Sequence, residues 1–460
     1  MKTIIRRMAY LFSFTAALIS SLLFLRLRAP LGFVLLGVKL LSNAFAPLLA
    51  LLGWAGAMLG MLSGAPAAVA AGLFGMLAGL GFTRQALAKD EFGLVNAFGA
   101  DWPERIAPEI RARLLPTRHG PIPRSASYAP KPFLERDVVY NSLPSGRKLL
   151  CDIWSPPAGH KHSGLAVIYA HGSAWTLFDK DFGTRPLFRH LANQGHVIID
   201  IAYRLYPEVQ IPEMLHDVQR AIVFTRLNAA RLGIDPRKLV LGGASSGGHL
   251  SLLAAYAPHH PALLAPELRS LVQADGLAAN PAADLDLSVQ AVFSYYGPCD
   301  LAAYYTHTNQ HNLPISNGQP AAHPNRPGSI QAEYAHNSLS PVHDLAWVMN
   351  ELGKAQGAGN LANLLGCRPE AAPELYRLYS PIAHIHAGCP PTLLVQGADD
   401  IITPLAATRA LEAHLRALHV PLVSRVFAQT EHGFDLLAPE ISPTSLSALY
   451  DLERFLALVG

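Results

Sequence analysis

Gly243-Ala244-Ser245-Ser246-Gly247-Gly248 stands near the middle of the chain, between Lys238-Leu239-Val240-Leu241 and a run from His249 to Ala255 that reads HLSLLAA. The first flank is a short apolar run of the size of a buried parallel strand, and the second is good helix-forming sequence. A sharp strand-to-helix turn forces its central residue into a strained backbone conformation, and flanking glycines have no Cβ to clash there. The helix that begins at the turn directs free N–H groups and its positive dipole end toward the serine oxygen. Ser245 is therefore the first candidate for a nucleophile. A small-residue turn in an ordinary layered α/β protein is the bland alternative, so the turn needs partners.

A serine is a weak nucleophile at neutral pH and needs a base, an orienting acid and donors for the oxyanion. His432 lies in Glu431-His432-Gly433-Phe434, after the strand-like Val423 to Phe427. Asp400 lies in Gly397-Ala398-Asp399-Asp400, after the apolar run Thr392 to Val395. Asp399 competes for the acid role, although a turn hydrogen bond is its ordinary use. His171-Gly172-Ser173-Ala174-Trp175 follows the apolar strand Leu165 to Ala170. Backbone N–H groups in that loop, with that of Ser246, are candidate oxyanion donors, each worth about 3 kcal/mol to a transition state. His171 reads as a structural residue that fixes the loop.

From about Leu134 onward the chain resembles an α/β-hydrolase of the hormone-sensitive-lipase-like carboxylesterase group. The resemblance rests on HGSAW at 171–175, Tyr203-Arg204-Leu205-Tyr206-Pro207-Glu208, GIDPRKLVLGGASSGGHL at 233–250, Leu364-Leu365-Gly366 to Tyr379-Ser380-Pro381, PPTLLVQGADD at 390–400 and EHGFDL at 431–436. The order Ser245, Asp400, His432 is that of α/β-hydrolases and differs from chymotrypsin and subtilisin. The resemblance implies ester hydrolysis through an acyl-serine, without metal or organic cofactor. It carries the nucleophile to Ser245, the acid to Asp400, four residues before Pro404, and the base to His432. It carries the backbone oxyanion donors to Gly172, Ser173 and Ser246. Two positions depart from the family pattern: Ser173 stands where a second glycine is usual, and Ala244 precedes the nucleophile.

The surrounding pattern predicts the same fold. Apolar strand candidates recur at 165–170, 196–202, 238–242, 289–295, 391–396 and 423–427, with helix-like stretches between several of them. Ile211 to Leu232 is amphipathic and stops at Gly233. Alternation of this kind predicts a mostly parallel central sheet with helices on both faces, its site at the carboxyl ends of the strands. Between about 300 and 365 the pattern breaks into Asn, His, Pro and Gly, read as a cap-like insertion over the site. His307 and His311 have helical i, i+4 spacing, but no Cys or Glu completes a metal site, and a polar surface is the expectation. The pair His384 and His386 reads the same way.

The N-terminus is of different material. No Asp or Glu precedes Asp90, and residues 40–83 carry no charged side chain. A helix over that run would be roughly 66 Å long at about 1.5 Å per residue, against about 30 Å for one bilayer crossing. Three transmembrane spans are predicted, near 8–25, 43–63 and 66–83, with Ser63-Gly64-Ala65-Pro66 as the second turn; two spans is the rival count. Lys2, Arg6 and Arg7 precede the first span, while Arg26, Arg28, Lys39, Arg84 and Lys89 fall on the other side, too small a difference to fix a side. The segments are thus 1–89, a multi-pass membrane anchor; 90–133, an amphipathic surface stretch and Pro-rich linker; and 134–460, the hydrolase. The 460 residues carry 36 Lys and Arg against 33 Asp and Glu, a balance that gives no sign of nucleic-acid binding. Cys151, Cys299, Cys367 and Cys389 show no metal spacing and read as buried thiols, with disulfides left open.

The expected function is a membrane-bound serine esterase or lipase whose partners are the bilayer and a small-molecule or lipid ester. Trp175, Phe178 and Tyr295, with Phe182 and Tyr296, are candidate walls of an apolar acyl pocket. The alternatives are a prolyl-oligopeptidase-type peptidase, for which only about 135 residues precede the hydrolase, and a non-catalytic membrane scaffold.

Overall fold

The computed structural model describes residues 1–26, 31–88, 91–116, 130–268, 286–310 and 361–460. Most of the cap-like insertion and the linker prolines Pro121 and Pro123 lie outside the described residues.

Eight strands form one sheet: β1 (Phe133–Ser142), β2 (Lys148–Ser155), β3 (Ala166–Ala170), β4 (Val197–Ala202), β5 (Leu239–Ala244), β6 (Ala291–Tyr295), β7 (Thr392–Gly397) and β8 (Leu422–Phe427). Their order is β1-β2-β4-β3-β5-β6-β7-β8. From β4 to β8 every pairing is parallel, and the hairpin β1–β2 joins antiparallel at the β4 edge. Every residue of β3, β5, β6 and β7 is buried, as their unbroken apolar runs predict for strands covered on both faces. Each buried Val, Leu or Ile side chain contributes about 1.5–3 kcal/mol. The hairpin escaped the sequence reading because β1, FLERDVVYNS, has neither an unbroken apolar run nor regular alternation, stays largely exposed and carries two register shifts.

The register aligns the carboxyl ends of the strands. Ala170 pairs with Gly243, Ala244 with Tyr295, Tyr295 with Val395, and Gly397 with Phe427. The loops that leave β3, β5, β6, β7 and β8 therefore emerge on one rim.

Three helices are long and apolar enough to cross a membrane: Lys2–Phe24, Ala46–Ser63 and Pro66–Ala86. The second ends at Gly64, whose φ of 67° is the left-handed conformation that glycine adopts without strain, and Pro66 opens the third. The three pack through small residues. A Cβ on Gly72 would lie 2.6 Å from the Gly53 carbonyl oxygen, and one on Gly75 would lie 2.8 Å from Ala16 Cβ. Large side chains point the other way: Leu11, Leu18, Leu51, Trp54, Leu62 and Leu77 are all at least half exposed.

One correction concerns the join between the two units. Helix Leu31–Ala44, between the first two apolar helices, contributes Leu36, Leu40 and Ala44 to the same core as the sheet. Lys39, counted from the sequence as a flanking charge, is 1% exposed inside the protein. The stretch expected as a free surface helix, 90–115, instead breaks into Glu91–Phe98, Trp102–Arg105 and Pro108–Arg111 and buries Leu94, Trp102, Ile106 and Leu114 in that core. Arg425 of β8 donates to the carbonyl oxygens of Ala86 and Ala88 at 3.1 and 2.7 Å, a cation at a helix C-terminus where the dipole favours it.

Candidate active site

Ser245 follows β5 directly and caps the start of the helix Ser246–Tyr256, with φ 51° and ψ −123°. A non-glycine residue held at positive φ is strained, and the surroundings must hold it there. Its amide donates to the Tyr295 carbonyl oxygen at 2.8 Å. Gly247 lets the helix start press against β3, since a Cβ there would lie 2.0 Å from the Ala170 carbonyl oxygen. The serine hydroxyl is thereby fixed at the rim, half-buried.

His432 Nε2 lies 2.9 Å from Ser245 Oγ, and His432 Nδ1 lies 2.9 Å from Asp400 Oδ2. A carboxylate only accepts, so Nδ1 carries the proton and Nε2 is free to accept from the serine. Asp400 is fully buried and saturated. Gln396 Nε2 donates to Oδ2 at 2.8 Å, and the amides of Ile402 and Thr403 donate to Oδ1 at 2.9 and 2.8 Å. Asp399 faces away toward Lys39, not into a turn bond of its own side chain. The geometry thus separates two adjacent carboxylates that sequence alone left in competition.

The loop after β3 holds a surprise at Ser173. Its amide donates to Ser246 Oγ at 2.8 Å, so this expected oxyanion donor is engaged within the protein. The Ser173 hydroxyl lies 2.9 Å from Ser246 Oγ and 2.7 Å from the Tyr203 hydroxyl, which donates to the His171 carbonyl oxygen at 2.9 Å. A relay runs from Ser246 through Ser173 and Tyr203 to His171, and ties the loop to the helix Ser246–Tyr256. Among the described residues the amides of Gly172, Ala174 and Ser246 have no acceptor. His171 is buried, stacks on Tyr203 at 4.6 Å between ring centroids, and burial pushes its imidazole down to about 4. It is neutral at physiological pH.

The expected pocket residues divide. Trp175 is 1% exposed, donates its indole N–H to His249 Nδ1 at 3.3 Å and packs edge-on against Tyr304, so it belongs to the core and lines neither described cavity. Phe178 and Phe182 form a half-buried stack, 3.9 Å between centroids. Tyr295 lines a shallow cleft with Thr184, Leu187, Asp435, Leu436 and Leu449. Tyr296 covers the His432 ring, 4.4 Å between centroids, and donates its hydroxyl to Asp435. His307 Nε2 is bonded to the Ile401 carbonyl oxygen at 2.8 Å, while His384 and His386 bond the carbonyl oxygens of Leu378 and Tyr256. His311 lies outside the described residues. All four cysteines are free thiols, three buried and Cys367 half-buried.

Sequence reasoning missed Lys39, Gln396, Tyr203 and Glu431. Lys39 did carry a signal: it is the one charged residue between Arg28 and Arg84.

A mostly parallel sheet with a serine, histidine and aspartate in line on its carboxyl rim has the α/β-hydrolase fold. The chain belongs to the BD-FAE family, whose sequence profile matches residues 151–326 and 335–415. It is similar to esterase LipQ of Mycobacterium tuberculosis, 29% identical over 78% of this chain and 72% of LipQ. It is also similar to the probable carboxylic ester hydrolase LipM of the same organism, 27% identical over 70% of this chain and 61% of LipM. Among solved structures, the apo form of Thermogutta terrifontis esterase 2 is 20% identical over 70% of this chain and 92% of that one, with a TM-score of 0.47. The chain is a hormone-sensitive-lipase-like carboxylic ester hydrolase.

Proposed function

We propose that the protein is a membrane-bound serine carboxylesterase that works through an acyl-serine intermediate on apolar or lipid-like esters. The observation that carries the reading is the line Ser245 Oγ, His432, Asp400, with both contacts at 2.9 Å. Ser245 Oγ attacks the ester carbonyl as its proton passes to His432 Nε2. Asp400 holds the imidazole in the correct tautomer and stabilises the imidazolium. The carbonyl oxygen takes the negative charge and is held by the Ser246 amide with a loop amide from Gly172 or Ala174. Collapse of the tetrahedral intermediate breaks the bond to the alcohol, which leaves with the proton from Nε2. Water then repeats the sequence on the acyl-serine and frees the acid.

The membrane part is supported by the arrangement of the apolar helices: small residues inside, large apolar side chains outside. That is the inverse of a water-soluble bundle, and it suits a lipid surround. An enzyme held beside a bilayer meets substrates that partition into it.

The test is labelling by a fluorophosphonate probe and turnover of p-nitrophenyl esters of increasing acyl length in membranes. Ser245→Ala is expected to abolish labelling, and Asp400→Asn to lower kcat by about three to four orders of magnitude. kcat/KM is expected to rise with acyl length. Retained activity in Ser245→Ala would refute the mechanism; preference for acetyl esters would refute the substrate class.

A further inference from the structure

The ammonium of Lys39 is fully enclosed and has three acceptors: the Leu25 carbonyl oxygen at 2.8 Å, Asp399 Oδ2 at 3.0 Å and Glu431 Oε1 at 2.9 Å. Asp399 immediately precedes Asp400, and Glu431 immediately precedes His432. One cation thus grips the two loops that carry the acid and the base. The loops also grip each other: the Asp399 amide donates to the Thr430 carbonyl oxygen at 3.0 Å, and Glu431 Oε2 accepts from the Ile401 amide at 3.1 Å. Beside them, Asn43 Nδ2, one helical turn beyond Lys39, donates to the Gln429 carbonyl oxygen at 3.0 Å.

Stability alone gives no reason for a charge in this place. A buried ion cluster recovers its desolvation cost only in part, and apolar residues of the same volume often serve as well or better. What apolar residues lack is direction. Two hydrogen bonds from one nitrogen, itself held by the Leu25 carbonyl, set the spacing between the Asp399 and Glu431 side chains, and with it the distance from Asp400 Oδ2 to His432 Nδ1. Catalysis is sensitive to that distance, since a displacement of about 1 Å at a site can lower rate by about 10²-fold.

We propose that Lys39 is a positioning residue for ester hydrolysis, delivered to the catalytic rim by the helix between the first two apolar spans. The N-terminal unit is then a part of the active site as well as an anchor. The inference rests on the assignment of Ser245, Asp400 and His432 made above.

The test uses the full-length protein in membranes, with rates expressed per active site counted by the p-nitrophenol burst. Lys39→Met, nearly isosteric and uncharged, is expected to lower kcat per titrated site by about tenfold or more, with KM for a short-chain ester within about twofold. Glu431→Gln, which keeps the shape of the acceptor and removes its charge, is expected to act in the same direction and serves if Lys39→Met does not fold. A purely structural role would reduce the number of titratable sites and leave kcat per site at the wild-type value; that result in either variant would overturn the proposal. Ser245→Ala separates the two readings. If it is inactive while Lys39→Met and Glu431→Gln turn over normally per site, only the role of Lys39 falls. If Ser245→Ala stays active, both fall.

Discussion

The Ser173 amide donates to the Ser246 hydroxyl at 2.8 Å, so the side chain next to Ser245 occupies a donor expected to face substrate. The same hydroxyl feeds the relay through Ser173 and Tyr203 to the His171 carbonyl. Ser246→Ala removes the acceptor but leaves the backbone amide of residue 246 in place. A buried amide without a partner costs about 1–3 kcal/mol. The variant is expected to lose about 1–3 kcal/mol of stability, read as a lower urea midpoint, and to acylate several-fold more slowly as the loop loses its tie. Stopped-flow burst rates and urea midpoints check both parts; a wild-type burst rate would show that the relay has no effect on chemistry.

The stability contributed by the buried histidines is expected to fall on acidification. Burial pushes His171, His196 and His249 down from 6.5 to about 4. Below about 6.5 the unfolded chain binds a proton on each that the folded chain refuses. The contribution is therefore full above 6.5 and is lost as pH falls toward 4. Each histidine changes stability by about 1.4 kcal/mol per pH unit in that window. Glu431 works in the opposite sense. Burial, only partly offset by Lys39, pushes its carboxyl from 4.5 up to about 7, so its contribution is full at low pH and fades as pH rises to 7. Burial lowers His216 in the same way and raises the carboxyls of Asp179, Asp181, Asp200 and Asp435 in the sense of Glu431. The histidine contribution is isolated in His249→Gln: its stability deficit relative to wild type in urea should be smaller at pH 5 than at pH 7, and an equal deficit at both would contradict the neutral state of His249.

The apolar bundle gives a paired prediction. A side chain on Gly72 would start 2.6 Å from the Gly53 carbonyl oxygen, whereas Leu77 is 63% exposed on the outer face. Gly72→Leu forces the helices apart, and overpacking of this kind costs about 1–3 kcal/mol. It is expected to lower the thermal midpoint of the detergent-solubilised protein, while Leu77→Ala leaves that midpoint near the wild-type value. Equal effects of the two substitutions would argue against the inside-out packing.

Much of the sheet was legible because its strands are continuous apolar runs, a pattern that few other structures satisfy. All six strand stretches read from the sequence overlap β3 to β8. The β1–β2 hairpin was not legible, because a half-exposed edge with bulges has no unbroken run. At the site, Ser245, Asp400 and His432 could be read from motif and order, and the structure brings the three together. Their supports could not. Lys39 meets Asp399 and Glu431 across 360 and 392 residues of sequence, and no local pattern announces a contact of that range. Trp175 shows the converse error: an aromatic residue beside a catalytic loop looked like a pocket wall, yet its indole is enclosed between His249 and Tyr304.

The long span between Lys39 and Glu431 also sets an order of events during synthesis. Chains fold as they emerge, N-terminal parts first. The helix bearing Lys39 is made while its two carboxylate partners are still untranslated, the second of them 392 residues further along the chain. Asp400 and His432 are translated beside the same two carboxylates, so the proposed site and the grip of Lys39 on it become complete together.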